Sequence, residues 1–415
     1  MYRLIGSLIL ATLFMSACSS EKSAETLLEK DGVTGYWRGL IHLQEQEMPF
    51  NFEITGSGED LRMKILNGEE ILEVNELQWQ GDTLLMPMHI FDTELRAVVE
   101  SGSMKGIWKK NYAEDYELPF TATRDTFRFP EPAKAPIADV SGKWAVKLLG
   151  EDGNDTTKAV GIFEQNGEQL SGTFLTPTGD YRYLEGNVDG NQLQLSAFDG
   201  EHAFLFKGTI DKENKDQISG TFWSGKSWNE KWIARRDSSA SLPDPNSLTH
   251  LKEGYDELAF EFPNLEGEMV SLDDSAYKDK VVIVQLFGTW CPNCMDETIF
   301  LADWYRKNKD RGVEIIGLAY EKKDDFEYAR NRVQRMVDRL DVGYDFLIAG
   351  TADKEAAAKT LPMLNHVMSF PTTIFIDKEG NVRKIHTGFS GPGTGEYYTR
   401  FVEEFNLFTD KLLAE

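Results

Sequence analysis

The chain has 415 residues, of which 41% are hydrophobic and 27% charged, and its formal net charge is −25. This length exceeds one ordinary hydrophobic core, so we expect two or three folded domains rather than wholesale disorder. So acidic a surface repels phosphate groups, which argues against nucleic acid and anionic lipid headgroups as partners.

The N-terminus has the pattern of an export signal. Arg3 precedes an apolar run, residues 4–15, that is too short to cross a bilayer. Small residues then lead to Cys18, an order that resembles a bacterial lipoprotein signal. The resemblance implies a signal peptide over residues 1–17, lipidation of Cys18, a polar tether over residues 18–32, and anchoring to the inner or outer membrane of a bacterial cell envelope. A cleaved signal with a chance cysteine is the alternative.

Residues 33–128 and 139–237 are interpreted as two tandem, repeated all-β domains. Both contain an opening Gly-x-Trp, a central turn, a Gly-aromatic strand and a closing Ala-x-Arg-Asp or Ala-Arg-Arg-Asp. Such a recurrence at roughly 110 residues indicates an internal repeat. Short alternating runs joined by turns such as Asn166-Gly167 predict hairpins. The spacing of the runs predicts a meander that forms a barrel or a sandwich.

Two segments that contain several prolines, residues 129–138 and 238–254, are interpreted as linkers. Beyond the second linker the pattern changes to alternating strands and helices, which predicts an α/β domain over residues 255–415. The predicted strands cover residues 281–287, 313–319, 344–348, 372–376 and 382–385. The predicted helices cover residues 292–305, 326–340 and 396–413.

The chain contains three cysteines. With Cys18 assigned to the lipid, only Cys291 and Cys294 remain, so no structural disulfide is expected. In an exported protein, such a close pair is expected to be chemically active rather than structural. The alternative is half of a zinc site, but it lacks further cysteines and a local cluster of histidines.

The pair lies in Cys291-Pro292-Asn293-Cys294, where a buried strand gives way to a helix. A thiolate is the attacking species, and a free cysteine with a pKa of ~8.5 is mostly protonated at neutral pH. Unpaired N–H groups at a helix N-terminus favour the anion, and Pro292 suits the first helical position. Cys291 is therefore predicted to be the nucleophile, and Cys294, one turn inward, the resolving thiol of a redox disulfide.

Residues 255–415 resemble the thioredoxin superfamily of redoxin type, and specifically the TlpA/ResA-like membrane-tethered thiol–disulfide oxidoreductases. The resemblance is carried by a leading hairpin over residues 260–272, by Phe-Gly-Thr-Trp-Cys-Pro-Asn-Cys at 287–294, and by Phe-Pro-Thr-Thr-Ile-Phe-Ile-Asp at 370–377. It implies a thioredoxin-like fold and a protein-disulfide reductase that needs no cofactor and no metal. Its implied partners are protein disulfides and a membrane thiol-reducing carrier that donates electrons.

The resemblance also implies roles for single residues. Pro371 is expected to follow a cis peptide bond, to face the cysteine pair and, with Phe370 and Trp290, to bind the substrate. Glu297 matches the family's active-site glutamate, a proton acceptor or a modulator of pKa. On its own, a glutamate in a first helical turn could equally complement the helix dipole. Gln285 stands where thioredoxins have a buried aspartate, so no proton transfer is expected through that position.

Two other functions remain open from the sequence. A copper-delivery protein could use the two cysteines with His366, although Sco-like relatives that do so have a CxxxC spacing, which this chain lacks. Alternatively, the β repeats could form a binding protein with an accessory redox module.

Overall fold

The structure is a computed structural model that describes residues 32–88, 90–150 and 156–415. The expected signal peptide and lipidation site, Cys18, lie outside the described residues. No helix among the described residues is long and apolar enough to cross a membrane.

The first β unit is one antiparallel sheet of nine strands in the order β4-β3-β2-β1-β9-β8-β7-β6-β5. It is open, because its two edge strands, β4 and β5, do not pair with each other. Burial alternates along β1, as expected of a strand with one face in the core. The strands are β1 (Gly35–Leu43), β2 (Gln46–Thr55), β3 (Arg62–Asn67), β4 (Glu70–Val74), β5 (Gln78–Gln80), β6 (Thr83–Pro87), β7 (Thr93–Glu100), β8 (Ser103–Lys110) and β9 (Glu117–Thr123).

The second β unit is a closed barrel rather than a sandwich, since β11 pairs with both β10 and β12 and completes the ring. Closure removes the free strand edges. Stacked aromatic rings, among them Phe174 and Phe206 with centroids 4.4 Å apart, fill the interior. The strands are β10 (Gly142–Leu149), β11 (Thr156–Asn166), β12 (Gln169–Thr176), β13 (Gly179–Asp180), β14 (Leu184–Asp189), β15 (Gln192–Phe198), β16 (Ala203–Ile210), β17 (Gln217–Ser224) and β18 (Trp228–Arg236).

The two β units share a construction around their first tryptophans. Trp37 Nε1 donates to the carbonyl of Val33 at 2.8 Å, and Trp144 Nε1 donates to the carbonyl of Val140 at 2.9 Å. An arginine from the last strand or just after it covers each indole. These are Arg124, 3.9 Å from the Trp37 ring, and Arg236, 4.5 Å from the Trp144 ring.

The C-terminal unit has a mixed sheet in the order β23-β22-β21-β24-β25, with β22 and β23 parallel to β21 and with β24 antiparallel to it. Every residue of β21 is buried, as its continuous apolar run predicts. The strands are β19 (Glu261–Pro263), β20 (Met269–Ser271), β21 (Val281–Phe287), β22 (Val313–Glu321), β23 (Asp345–Thr351), β24 (Thr372–Ile376) and β25 (Val382–Thr387). The helices are α1 (Pro292–Asn308), α2 (Phe326–Leu340), α3 (Lys354–Thr360) and α4 (Glu396–Ala414).

The three units pack against one another. Phe50 of the first unit meets Phe198 of the barrel with ring centroids 4.4 Å apart. Trp108 Nε1 of the first unit also donates to the carbonyl of Gly200 in the barrel at 3.0 Å. Helix α2 lies on the first unit, where the Tyr328 hydroxyl donates to Asp92 at 2.9 Å. The first β unit therefore contacts both the barrel and the C-terminal unit.

Candidate active site

The two cysteines lie where β21 gives way to α1, as the sequence predicts. Cys291 is the N-cap of α1 and Pro292 is its first residue. The backbone N–H of Cys294 donates to Cys291 Sγ at 3.2 Å. A hydrogen bond to sulfur at the positive end of a helix stabilises a thiolate at that position.

Accessibility distinguishes the two sulfurs. Cys291 is 7% exposed and Cys294 is 0% exposed, so a substrate can reach Cys291 first. Burial, followed by the hydrogen bond and charge interaction with Cys291, raises the pKa of the Cys294 thiol well above its ordinary value. Cys294 therefore remains protonated until a nearby base accepts its proton.

The segment around Pro371 lies beside the nucleophile. The Phe370–Pro371 peptide bond is cis, as the resemblance implies. The Cys291 thiol donates to the carbonyl of Phe370 at 3.5 Å. The Phe370 ring meets the Trp290 ring edge-on, with centroids 5.8 Å apart. The structure therefore brings the three expected substrate-binding residues together at Cys291.

Glu297 lies fully buried on α1 behind the cysteines. Thr373 Oγ1 donates to its Oε1 at 2.6 Å, and Gln285 Nε2 donates to its Oε2 at 2.8 Å. Burial raises the pKa of Glu297 to about 7, although both hydrogen bonds oppose the rise. Its charge contributes to the raised pKa of Cys294. A glutamate that only complemented the helix dipole at the surface would be exposed, whereas Glu297 is buried. This geometry therefore supports an acid–base role for Glu297.

Gln285 cannot titrate, but it is part of the same network. It donates to Glu297 and accepts from Thr298 Oγ1 at 3.2 Å. The position that holds an aspartate in thioredoxins therefore orients the buried acid here.

A second buried acid, Glu321, was not found from the sequence. It accepts from the backbone N–H of Thr289 at 2.8 Å and from its hydroxyl at 2.9 Å, and burial raises its pKa. These bonds hold the loop that carries Trp290 and Cys291. The sequence signal that could have revealed Glu321 is its position at the end of the apolar run of β22.

Two lysines face the nucleophile, and neither was predicted. Lys322 lies 3.8 Å from the Trp290 ring, and both Lys322 and Lys354 interact electrostatically with Cys291. Burial lowers the pKa of each lysine. Glu201 and then Cys291 oppose this change at Lys322, and Cys291 opposes it at Lys354.

Within residues 32–88, 90–150 and 156–415, no group of three or more His, Cys, Asp or Glu side chains is arranged to hold a metal ion. Cys291, Cys294 and His366 therefore do not form the ligand set that a copper-delivery protein would use.

The barrel reaches the active site through residues 177–183, which we call the barrel tip. Asn293 Nδ2, between the two cysteines, donates to the carbonyl of Asp180 at 3.4 Å. Ser369 Oγ, two residues before Pro371, donates to the carbonyl of Thr178 at 2.9 Å. The backbone N–H of Gly391 donates to the Asp180 carboxylate at 2.7 Å.

Arg182 of the barrel tip joins all three units. Its guanidinium pairs with Glu70 of the first unit and with Asp296 of α1, the latter at 2.6 Å. Burial raises the pKa of Asp296 to about 7, while Arg182 lowers it. No sequence pattern linked these residues, because they lie more than a hundred positions apart.

Comparison with known proteins places this site in a family. The AhpC/TSA family model matches residues 255–385. The thiol–disulfide oxidoreductase ResA of Halalkalibacterium halodurans is 30% identical over 137 residues, which cover 33% of this chain and 69% of the relative. ResA of Bacillus thuringiensis subsp. konkukian is 31% identical over 136 residues, which cover 32% of this chain and 70% of the relative. This chain belongs to the ResA-like thiol–disulfide oxidoreductases.

A solved structure of a thiol:disulfide interchange protein from Chlorobium tepidum covers 39% of this chain and 98% of its own, with 20% identity and a TM-score of 0.30. The C-terminal unit of this oxidoreductase is thioredoxin-like. The two β units lie outside the segment that the family model matches.

Proposed function

We propose that this oxidoreductase reduces protein disulfides by dithiol exchange, with Cys291 as nucleophile and Cys294 as resolving thiol. The observation that carries the proposal is the asymmetry of the pair. Cys291 is 7% exposed and its sulfur accepts a helix N–H, whereas Cys294 is 0% exposed and lies near an acid.

The exchange balances in two steps. The Cys291 thiolate attacks one substrate sulfur, forms a mixed disulfide and releases the other substrate sulfur as a thiolate, which takes up a proton. Cys294 then transfers its proton to the Glu297 carboxylate and attacks Cys291 Sγ. This second attack releases the remaining substrate thiolate and leaves a Cys291–Cys294 disulfide.

The oxidised pair must be reduced again by two electrons. We assign these electrons to a membrane thiol carrier that exchanges disulfides with Cys291 in the reverse sense. Measuring the reduction potential of the purified dithiol tests the direction. Related sites span about −270 to −120 mV, and a value at the oxidising end of this range would contradict a reductase.

The substrate chain is proposed to lie along Phe370 and Pro371, with Trp290 beside it. Phe370 precedes β24, and its carbonyl faces Cys291. An extended chain added at this segment would place its disulfide next to Cys291 Sγ.

Trapping tests the assignment of the cysteines. A Cys294→Ser variant is expected to accumulate mixed disulfides through Cys291, which reducing agent releases. The matched control is Cys291→Ser, which should trap nothing. Equal trapping by both variants would contradict the assigned order.

We further propose that the enzyme is anchored in the cell envelope through a lipid on Cys18. Support comes from the order of Arg3, the apolar run and the small residues before Cys18. Mass spectrometry of the mature N-terminus tests this, with Cys18→Ala as control. An unmodified Cys18 would contradict the anchor.

The β units are proposed to be internal repeats over residues 33–128 and 139–237, separated by linkers at 129–138 and 238–254. The shared contacts of Trp37 with Arg124 and of Trp144 with Arg236 support this proposal. An arginine–tryptophan stacking that recurs at matched positions is stronger evidence for a repeat than the equal number of strands in the two units.

A further inference from the structure

The barrel tip covers one side of the active site. It contacts the loop between the cysteines through Asn293, the segment before Pro371 through Ser369, and the loop after β25 through Gly391. Ser369 is only 2% exposed, so almost none of its surface is left to solvent. One element of another unit thus contacts three segments around the cysteine pair.

The packing at this contact leaves no space for an additional chain. A Cβ atom at Gly179 would lie 1.9 Å from Asn293 Nδ2, and a Cβ atom at Gly388 would lie 2.8 Å from the carbonyl oxygen of Pro177. Contacts this close exclude even a methyl group. A substrate therefore cannot pass between the barrel tip and the active-site loops while they are docked.

The tip is also held firmly in place. Arg182 is 7% exposed and pairs with carboxylates from both neighbouring units, while Asp180 binds the backbone of Gly391. The tip is therefore fixed by contacts with both neighbouring units.

The first β unit also reaches the active site. Lys322 Nζ lies 3.8 Å from the Trp290 ring and 5.5 Å from the ring of Tyr112, a residue of the first unit. Both β units therefore have residues near Cys291: the barrel tip through its contacts with Asn293 and Ser369, and the first unit through Tyr112 beside Lys322 and Trp290.

We propose that the barrel tip is a specificity wall that admits low-mass disulfides and disulfides in extended chains, and excludes those on folded surfaces. This inference rests on the proposed dithiol exchange at Cys291. A broad convex protein surface would collide with the wall before its disulfide reached Cys291 Sγ, whereas a single extended chain would not.

Two variants of the full chain test the wall. The first combines Glu70→Gln, Arg182→Met and Asp296→Asn, which removes the ion pairs that hold the tip and leaves neither the Glu70 nor the Asp296 carboxylate buried without its cation. The second deletes Thr178 and Gly179, which shortens the tip and retains every charged group. Circular dichroism and thermal unfolding confirm that each variant is folded.

The readout is the ratio of kcat/KM for native insulin to kcat/KM for a disulfide-linked dimer of an unstructured ten-residue peptide. We expect both variants to raise this ratio by about fivefold or more, because steric exclusion acts only on the folded substrate. A matched control deletes Lys212 and Glu213 from the exposed β16–β17 turn, remote from the cysteines, and should leave the ratio unchanged.

If the ratio in both folded variants stays within about twofold of the ratio in the parent, the specificity wall is contradicted, even when the variants reduce the peptide normally. Failure of the parent enzyme to reduce the peptide would instead overturn the proposed function, and the wall with it. The two failures are therefore distinguishable by the peptide reaction alone.

Discussion

Thr373 Oγ1 donates a hydrogen bond of 2.6 Å to Glu297 Oε1, and so joins β24, next to the cis-proline segment, to the buried acid of the helix that carries the cysteines. This bond favours the charged carboxylate and opposes the effect of burial, which raises the pKa of Glu297 to about 7. The acid is thereby poised to accept a proton from Cys294 near neutral pH.

Glu297→Gln should slow resolution of the mixed disulfide by about 100-fold, a usual contribution of general base catalysis. In the parent, the rate should rise as pH increases through about 7, because the carboxylate is the active form. The variant should lose that inflection. Stopped-flow measurement of resolution against pH tests this, and an inflection retained in Glu297→Gln would assign it to another group.

Thr373→Val provides a conservative companion. It removes a hydrogen bond that lowers the pKa of Glu297 and preserves the volume of the side chain, so the inflection should move to higher pH. An unmoved inflection would show that Thr373 does not act on the acid, and a shift to lower pH would show that its hydrogen bond favours the protonated form.

The same acid predicts a pH dependence of stability. Its pKa is raised from 4.5 to about 7 on folding, so the folded state binds a proton more tightly than the unfolded state. Stability contributed by this group is complete below pH 4.5 and is lost as pH rises towards 7, in total about 3 kcal/mol. Urea unfolding of the parent and of Glu297→Gln at several pH values should show that the variant lacks this part of the decline.

An unchanged pH dependence in Glu297→Gln would contradict that assignment. Asp296, whose pKa burial also raises to about 7, contributes a decline of the same sign in both proteins. The difference between the two curves therefore isolates Glu297.

The sequence could predict those parts of the molecule that depend on neighbouring residues. The limits of β21 and β24 and the start of α1 were correct, because buried runs and a proline after the N-cap are local signals. Helix α3, over Lys354–Thr360, was missed because seven residues provide less than two full turns of periodicity.

What the sequence could not predict is how the units meet. Arg182 and Asp296 are 114 positions apart, and neither lies in a sequence motif that predicts its ion-pair partner. Hairpin periodicity predicts the strands of a barrel but not which of its turns touches another domain. The barrel tip therefore appeared only in the structure, although the cysteines beside it were evident from their spacing.

Arg182→Met should destabilise the protein by about 3 kcal/mol, because it leaves the Glu70 and Asp296 carboxylates buried without their cation. Adding Glu70→Gln and Asp296→Asn should recover most of that loss. The control is Arg311→Met, which removes an exposed pair with Asp410 and should change stability by less than about 1 kcal/mol. Urea midpoints measure all three, and equal effects of Arg182→Met and Arg311→Met would contradict a buried junction.

Gly179→Ala should weaken the contact between the barrel tip and Asn293. Gly179 has φ +148°, a conformation that other residues rarely adopt, and an added Cβ would lie 1.9 Å from Asn293 Nδ2. The matched control is Gly167→Ala at another hairpin turn of the same barrel, where φ is +62° and an added Cβ meets no atom within 4 Å. Both variants carry backbone strain, but only Gly179→Ala also displaces the Asn293 side chain from the barrel tip, so it should be about 2 kcal/mol less stable than the control. Hydrogen exchange should increase at the start of α1 in Gly179→Ala alone, and the same increase in Gly167→Ala would show that strain within the barrel, rather than the contact with Asn293, is responsible.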